Sequence, residues 1–275
     1  MENYSFYNNN EKHNNNTAKS IVSFVPQPPS NEPTKDLVQN VAENTDDKKD
    51  NRVKYYVKFS FMITYILLLT TATLTFIEAM RTNKPHARHV LNLETCISVV
   101  AGYFYGVFLG QIDENEKQGK DIKLIWEDIT KTRYVDWCIT TPLMLLVLCI
   151  VLSNNSKTQI YISTFLMILA LNYCMLFIGF LGEFHFIERT VADVLGFIPF
   201  FIMFYIIFDR YVSPVYRLDN YILYFLYIII WGLYGVVYMM DEYVKNISMN
   251  ILDCLAKCFI GNALFIYYAN ILSIG

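Results

Sequence analysis

Asn250-Ile251-Leu252-Asp253-Cys254-Leu255-Ala256-Lys257-Cys258-Phe259-Ile260 puts an aspartate and a lysine near the middle of the last long apolar run of the chain. A lysine at the centre of a membrane helix costs roughly 3 kcal/mol on insertion scales, so one found there implies a partner or a task. Asp253 and Lys257 are i and i+4, about 40° apart around a helix and about 6 Å along it, and therefore share a face. Two readings follow. The pair is a buried ion pair that holds helices in register, or the amine carries a covalent aldehyde as a Schiff base with the carboxylate as its counterion.

The rest of the chain agrees with a bilayer setting. Of its 275 residues 54% are hydrophobic, 16% aromatic and only 17% charged, too apolar for an ordinary soluble domain. Residues 1–52 are the exception. They are rich in Asn, Lys, Asp and Glu, with the runs Asn8-Asn9-Asn10 and Asn14-Asn15-Asn16, and are expected to form a disordered polar tail. No basic region followed by an apolar core marks a cleavable signal peptide at the N-terminus, so the first span is expected to do the targeting. Cys96, Cys138, Cys149, Cys174, Cys254 and Cys258 all lie inside apolar segments, which argues for buried thiols rather than a disulfide framework or a metal site. The net charge of −3 gives no sign of a nucleic-acid partner.

Windows of about 20 apolar residues predict seven membrane helices, at about 55–80, 88–112, 128–152, 157–181, 186–209, 214–240 and 244–273. The expected fold is an all-α seven-helix bundle over residues 53–275, without a second folded domain. The first connector carries Arg81, Lys84 and Arg88, whereas the second holds Asp113, Glu114, Glu116, Asp121, Glu127 and Asp128. The excess of basic residues predicts a cytoplasmic first connector, an extracellular N-terminus and a cytoplasmic C-terminus.

The third span reads Arg133-Tyr134-Val135-Asp136-Trp137-Cys138-Ile139-Thr140-Thr141-Pro142-Leu143. Arg133, Asp136 and Thr140 fall on one helical face and offer Lys257 a second carboxylate. This motif, the Asp253–Lys257 turn and Trp231-Gly232-Leu233-Tyr234 together resemble the microbial rhodopsins over residues 53–275. The resemblance implies all-trans retinal on Lys257 as a protonated Schiff base, in a photoreceptor rather than an enzyme. Asp136 would be primary acceptor and counterion, Asp253 the second counterion, and Arg133 the balancing charge. Trp137 and Trp231 would sandwich the polyene, with Tyr134, Thr140, Thr141, Met144, Pro199, Phe200 and Tyr234 completing the pocket. Met144 stands at a family colour-tuning position, where an apolar residue suggests blue-green to green absorption.

Position 147, eleven residues after Asp136, is where proton pumps of this family keep a proton-donating carboxylate. Here it is valine. Glu78 near the inner end of the first helix, Glu94 near the start of the second and Asn262 five residues past Lys257 form a candidate cation pathway; salt bridges to Arg81 or Arg88 are the bland alternative for the two glutamates. The run Asn92-Leu93-Glu94-Thr95-Cys96-Ile97-Ser98-Val99-Val100-Ala101-Gly102-Tyr103-Phe104-Tyr105 is similar to the rhodopsins of large algal viruses, and the subgroup it resembles implies a light-gated cation channel for monovalent cations that is sensitive to calcium. The gate pair of algal channelrhodopsins aligns with Thr141 and Cys174. A weak outward proton pump and a sensor signalling through a partner remain the alternatives, the latter drawing attention to Asn172 and Asp193, whose plainer role is a hydrogen bond to a neighbouring helix. Homo-oligomers embedded in membrane lipid are implied by the family.

Overall fold

A lipid-facing segment must satisfy its own backbone, and a helix does so within one stretch of chain. The computed structural model describes the backbone of residues 35–118 and 122–269 and the side chains of residues 54–118 and 126–269. Its helices are α1 (Lys35–Arg81), α2 (Pro85–Gln118), α3 (Ile122–Ser156), α4 (Ile162–Glu183), α5 (Arg189–Val212), α6 (Leu218–Tyr238) and α7 (Glu242–Ala269). All seven are long and apolar enough to cross a membrane, α1 through its part Lys54–Arg81.

The chain divides into two compact units, Met1–Asp46 and Asp47–Gly275. In the first unit residues 35–46 are helical; the spans belong to the second. Most of the expected disordered tail, 1–34, lies outside the described residues. Its remainder, 35–52, has helical backbone. Elongating an existing helix costs far less than nucleating one, so α1 can run past the apolar span into polar sequence. Helix α2 likewise continues to Gln118, beyond the expected limit near 112. There Lys58 pairs with Asp113 and with Glu116, the latter at 3.2 Å.

The bundle is sided as a bilayer demands. Large apolar residues such as Phe76, Phe177, Phe201, Tyr205 and Ile229 are exposed, while Arg133, Asp136, Asp253 and Lys257 are at most 2% exposed. Helix α3 packs against α2, α4 and α6, and α7 packs against α2 and α6. Among the described residues two π-helical turns interrupt the α geometry, Phe208–Val212 in α5 and Cys254–Phe259 in α7. The second contains Lys257, and such bulges re-aim a side chain at a functional position. The lower end carries the connectors after α1, α3 and α5; the upper end carries those after α2, α4 and α6.

Candidate functional site

The charged residues of α3 and α7 converge in the core. Lys257 Nζ donates to Asp136 Oδ2 at 2.7 Å and lies 3.6 Å from Asp253 Oδ1. Arg133 Nη1 is 3.6 Å from Asp253 Oδ2. Two cations and two carboxylates thus share one buried cluster, which removes the cost of any one of them standing alone in low dielectric. Tyr234 OH donates to Asp253 Oδ1 at 2.6 Å and Tyr105 OH to Oδ2 at 2.7 Å, so both carboxylate oxygens are fixed. Asp136 Oδ1 has no hydrogen-bond partner among the described residues. Asp136 is the nearer partner of the amine and Asp253 the more rigidly held.

Beside Nζ opens a cavity of about 120 Å³, lined by Tyr134, Trp137, Thr141, Met144, Phe200, Trp231, Tyr234, Asp253 and Lys257 among others. An apolar, aromatic-walled space ending on an amine fits a polyene aldehyde bound through that amine. Two expected pocket residues do not line it. Thr140 turns its hydroxyl to its own helix, donating to Asp136 O at 2.9 Å. Pro199 is buried within α5 but its neighbour Phe200 reaches the cavity instead. The sequence reading missed Met175 and Gly179 of α4, and Asp193, Gly196 and Phe197 of α5, as lining residues.

Thr141 also has a different partner from the one expected. Asn172 Nδ2 of α4 donates to Thr141 Oγ1 at 2.9 Å, whereas Cys174 is exposed on the bundle surface. Two residues along a helix rotate the side chain by about 200°, enough to move it from interior to lipid. Asn172 is fully buried and ties α4 to α3.

Toward the upper end the cluster continues into a polar network that the sequence did not disclose. Asn250 Oδ1 accepts from Arg133 Nη2 at 2.9 Å and lies 3.0 Å from Tyr105 OH, whose proton goes to Asp253, and Asn250 Nδ2 donates to Ser60 Oγ at 2.9 Å. Arg133 Nη2 reaches Asn246 Oδ1 at 3.3 Å, and its guanidinium stacks on Phe61 and Phe108. One amide therefore joins α1, α2, α3 and α7. The available signal was spacing: Asn246, Asn250, Asp253 and Lys257 recur at 3–4 residues along one stripe of α7.

Toward the lower end polar residues follow the same seam. Cys254 Sγ lies 3.3 Å from Thr64 Oγ1, Asn262 Nδ2 donates to Thr71 Oγ1 at 3.0 Å, and Thr75 and Thr95 hydroxyls meet at 2.9 Å. Glu94 is 2% exposed with no hydrogen bond or ion pair among the described residues. A Cβ placed on Gly261, one turn past Lys257, would stand 3.0 Å from Glu94 Oε2, so the glycine lets α2's carboxyl approach the α7 backbone. Glu78 lies 3.9 Å from Arg81, at the rim. Val147 is buried among apolar core residues.

The sequence profile described as Bacteriorhodopsin-like protein matches residues 56–272. Among solved structures, viral rhodopsin OLPVRII is 42% identical with a TM-score of 0.72, over 79% of this chain and 99% of its own. The blue light-absorbing proteorhodopsin from Med12 is 21% identical at a TM-score of 0.60, over 78% and 98% of the two chains. The proton pumping rhodopsin AR2 of the marine alga Acetabularia acetabulum is 20% identical at 0.63, over 78% and 96%. These last two share the fold. No curated protein sequence matches the chain.

Proposed function

Since the chain belongs to the bacteriorhodopsin-like family, we propose that it is a retinal photoreceptor that conducts cations across a membrane in the light. The observation that carries this reading is the polar seam between α1, α2, α3 and α7. It runs from Ser60 and Asn250 through Asp253 and Thr64 to Thr71, Asn262, Thr75, Thr95 and Glu94. A cation leaving water needs oxygen ligands, and hydroxyls, an amide and carboxylates along one interface supply them. The carboxylate of Asp253 favours cations over anions on the same ground.

Retinal, when bound, supplies the light-driven change of shape of its polyene. Lys257 would hold it, Trp137 and Trp231 would confine it, and Asp136 at 2.7 Å from Nζ would neutralise the nitrogen's charge. Tyr105 and Tyr234 keep Asp253 oriented, and Arg133 offsets the second carboxylate. In the dark this balanced cluster bridges α3 and α7 across the seam. Moving Nζ away from Asp136 breaks that bridge and leaves side chains of both helices free to admit an ion. Arg81, Lys84 and Arg88 around the first connector orient the lower end toward the cytoplasm, with the N-terminus outside.

A second reading, an outward proton pump, rests on Glu94. Val147 cannot give a proton to the nitrogen, but Glu94 approaches α7 one turn beyond Lys257 and is otherwise unpartnered among the described residues. Glu94→Gln separates the two. A conduction role predicts smaller light-induced currents with altered cation selectivity and an unchanged rate of return to the dark colour. A slowed return that a small permeant acid restores would make Glu94 a proton donor and displace the channel reading.

A further inference from the structure

Asp193 of α5 lines the chromophore cavity, and neither the charge cluster nor the polar seam uses it. Helix α5 packs on α4 and α6, and α6 stands between it and α7, so Asp193 is on the wall opposite Lys257. It is half-buried, with no hydrogen bond or ion pair among the described residues. Its Oδ1 lies 3.2 Å from where a Cβ on Gly235 would stand, so the bare backbone of α6 leaves room for the carboxyl beside the cavity. The cation on its own face, Arg189 one turn earlier, acts on Asp193 through its charge but makes its direct contacts elsewhere. Its Nη2 is 3.7 Å from Glu183 and its guanidinium stacks on Tyr238. The neighbours that share this wall, Gly196, Phe197 and Phe200, are apolar.

An ionisable group in a membrane helix is expensive and here lacks the interhelical hydrogen bond that accounts for Asn172. What it does face is the end of the cavity remote from the amine. A chromophore attached at Lys257 holds its positive charge near the nitrogen in the ground state, and excitation moves part of that charge along the conjugated chain toward the opposite end. A negative charge at Nζ therefore stabilises the ground state and shifts absorption to the blue. One at the far end stabilises the excited state and shifts absorption to the red.

We propose that Asp193 is a colour-determining residue that, as a carboxylate at the far end of the chromophore cavity, shifts the absorption of the bound pigment to longer wavelength. The inference rests on the reading that Lys257 binds retinal. It gives Asp136 and Asp193 opposite spectral signs, which a role in packing alone would not do.

The test is the absorption maximum of purified, retinal-loaded Asp193→Asn and Asp193→Glu beside wild type and Asp136→Asn. Asp193→Asn is expected to move the maximum to the blue by on the order of 10 nm, the size of a charge acting on a partial charge displacement across the cavity. Asp193→Glu, which keeps the charge, is expected to stay within a third of that shift, and Asp136→Asn to move to the red. An Asp193→Asn maximum that is unmoved or red-shifted while Asp136→Asn moves to the red overturns the role of Asp193 and leaves the chromophore site standing. A pigment that forms equally well in Lys257→Ala overturns the chromophore site and the inference with it. Should Asp193→Asn fail to fold, the Asp193→Ser spectrum serves with the same expected sign.

Discussion

Replacing Asn250 by leucine keeps side-chain size and removes the amide that joins four helices. Buried Arg133 Nη2 then loses an acceptor at 2.9 Å, half-buried Ser60 Oγ loses a donor at 2.9 Å, and Tyr105 OH, which keeps Asp253, loses a polar neighbour at 3.0 Å. A hydrogen bond to a charged group contributes about 1.5–3 kcal/mol. Neutral interhelical bonds in membrane proteins average about 0.6 kcal/mol each. Arg133 keeps Asn246 at 3.3 Å and Asp253 at 3.6 Å, which places the charged bond toward the lower part of its range. The expected loss is about 2–4 kcal/mol. It is measured by reversible unfolding in mixed detergent micelles, following the chromophore band. Asn250→Asp retains the acceptor for Arg133 and is expected to fall between wild type and Asn250→Leu. Thr70→Ala is the control, because that exposed hydroxyl donates only to Ile66 O of its own helix and its loss is expected within about 0.5 kcal/mol. An Asn250→Leu protein within about 0.5 kcal/mol of wild type would refute the argument that this amide holds the upper half of the seam together.

Three further outcomes follow from the same geometry. Lys257→Ala is expected to abolish the visible band, read by spectroscopy after retinal addition; a persisting band would remove the lysine from the attachment role. Asp136→Asn is expected to red-shift absorption, because at an effective dielectric near 20 its 2.7 Å contact provides about 6 kcal/mol of Coulomb attraction against about 5 for Asp253 at 3.6 Å; an unmoved maximum with a shift in Asp253→Asn would reverse the two carboxylates' ranks. Gly261→Val is expected to displace the Glu94 carboxyl and lower light-induced current without changing colour, since a Cβ there already stands 3.0 Å from Glu94 Oε2 and from Thr71 Cγ2; an unchanged current would show that this close approach is not part of the path.

The parts of the molecule that could be read from sequence are those where burial penalises a residue heavily. Lys257, Asp253, Asp136 and Arg133 stand out because a charge in an apolar span needs an explanation, and their spacings place them on inward faces of α3 and α7. Uncharged amides give a weaker signal. Asn250 costs little enough in a span to pass as an ordinary polar residue, yet it links α1, α2, α3 and α7, whereas Asn172 makes the hydrogen bond to a neighbouring helix expected of it but to a partner, Thr141, that the sequence did not name. Helix rotation was the other gap. Whether Asn172 or Cys174 faces α3 depends on a packing angle that one helix's sequence does not specify, and the structure puts Asn172 inside and Cys174 outside. The π-helical turn Cys254–Phe259 is a further case, since it alters the direction of Lys257 without any proline or glycine within it to announce it. Helix ends also escaped the apolar window, because α2 continues through polar sequence to Gln118 and α4 starts at Ile162 rather than 157.

The proposed function requires that light open a passive cation path along the seam of α1, α2, α3 and α7. The most direct measurement is the whole-cell photocurrent of retinal-supplied cells expressing the protein, swept across voltage with cation gradients imposed. A current whose reversal potential follows the cation gradient is the predicted result. A current that stays outward at every voltage, or a coloured membrane-localised protein that passes none, would contradict it.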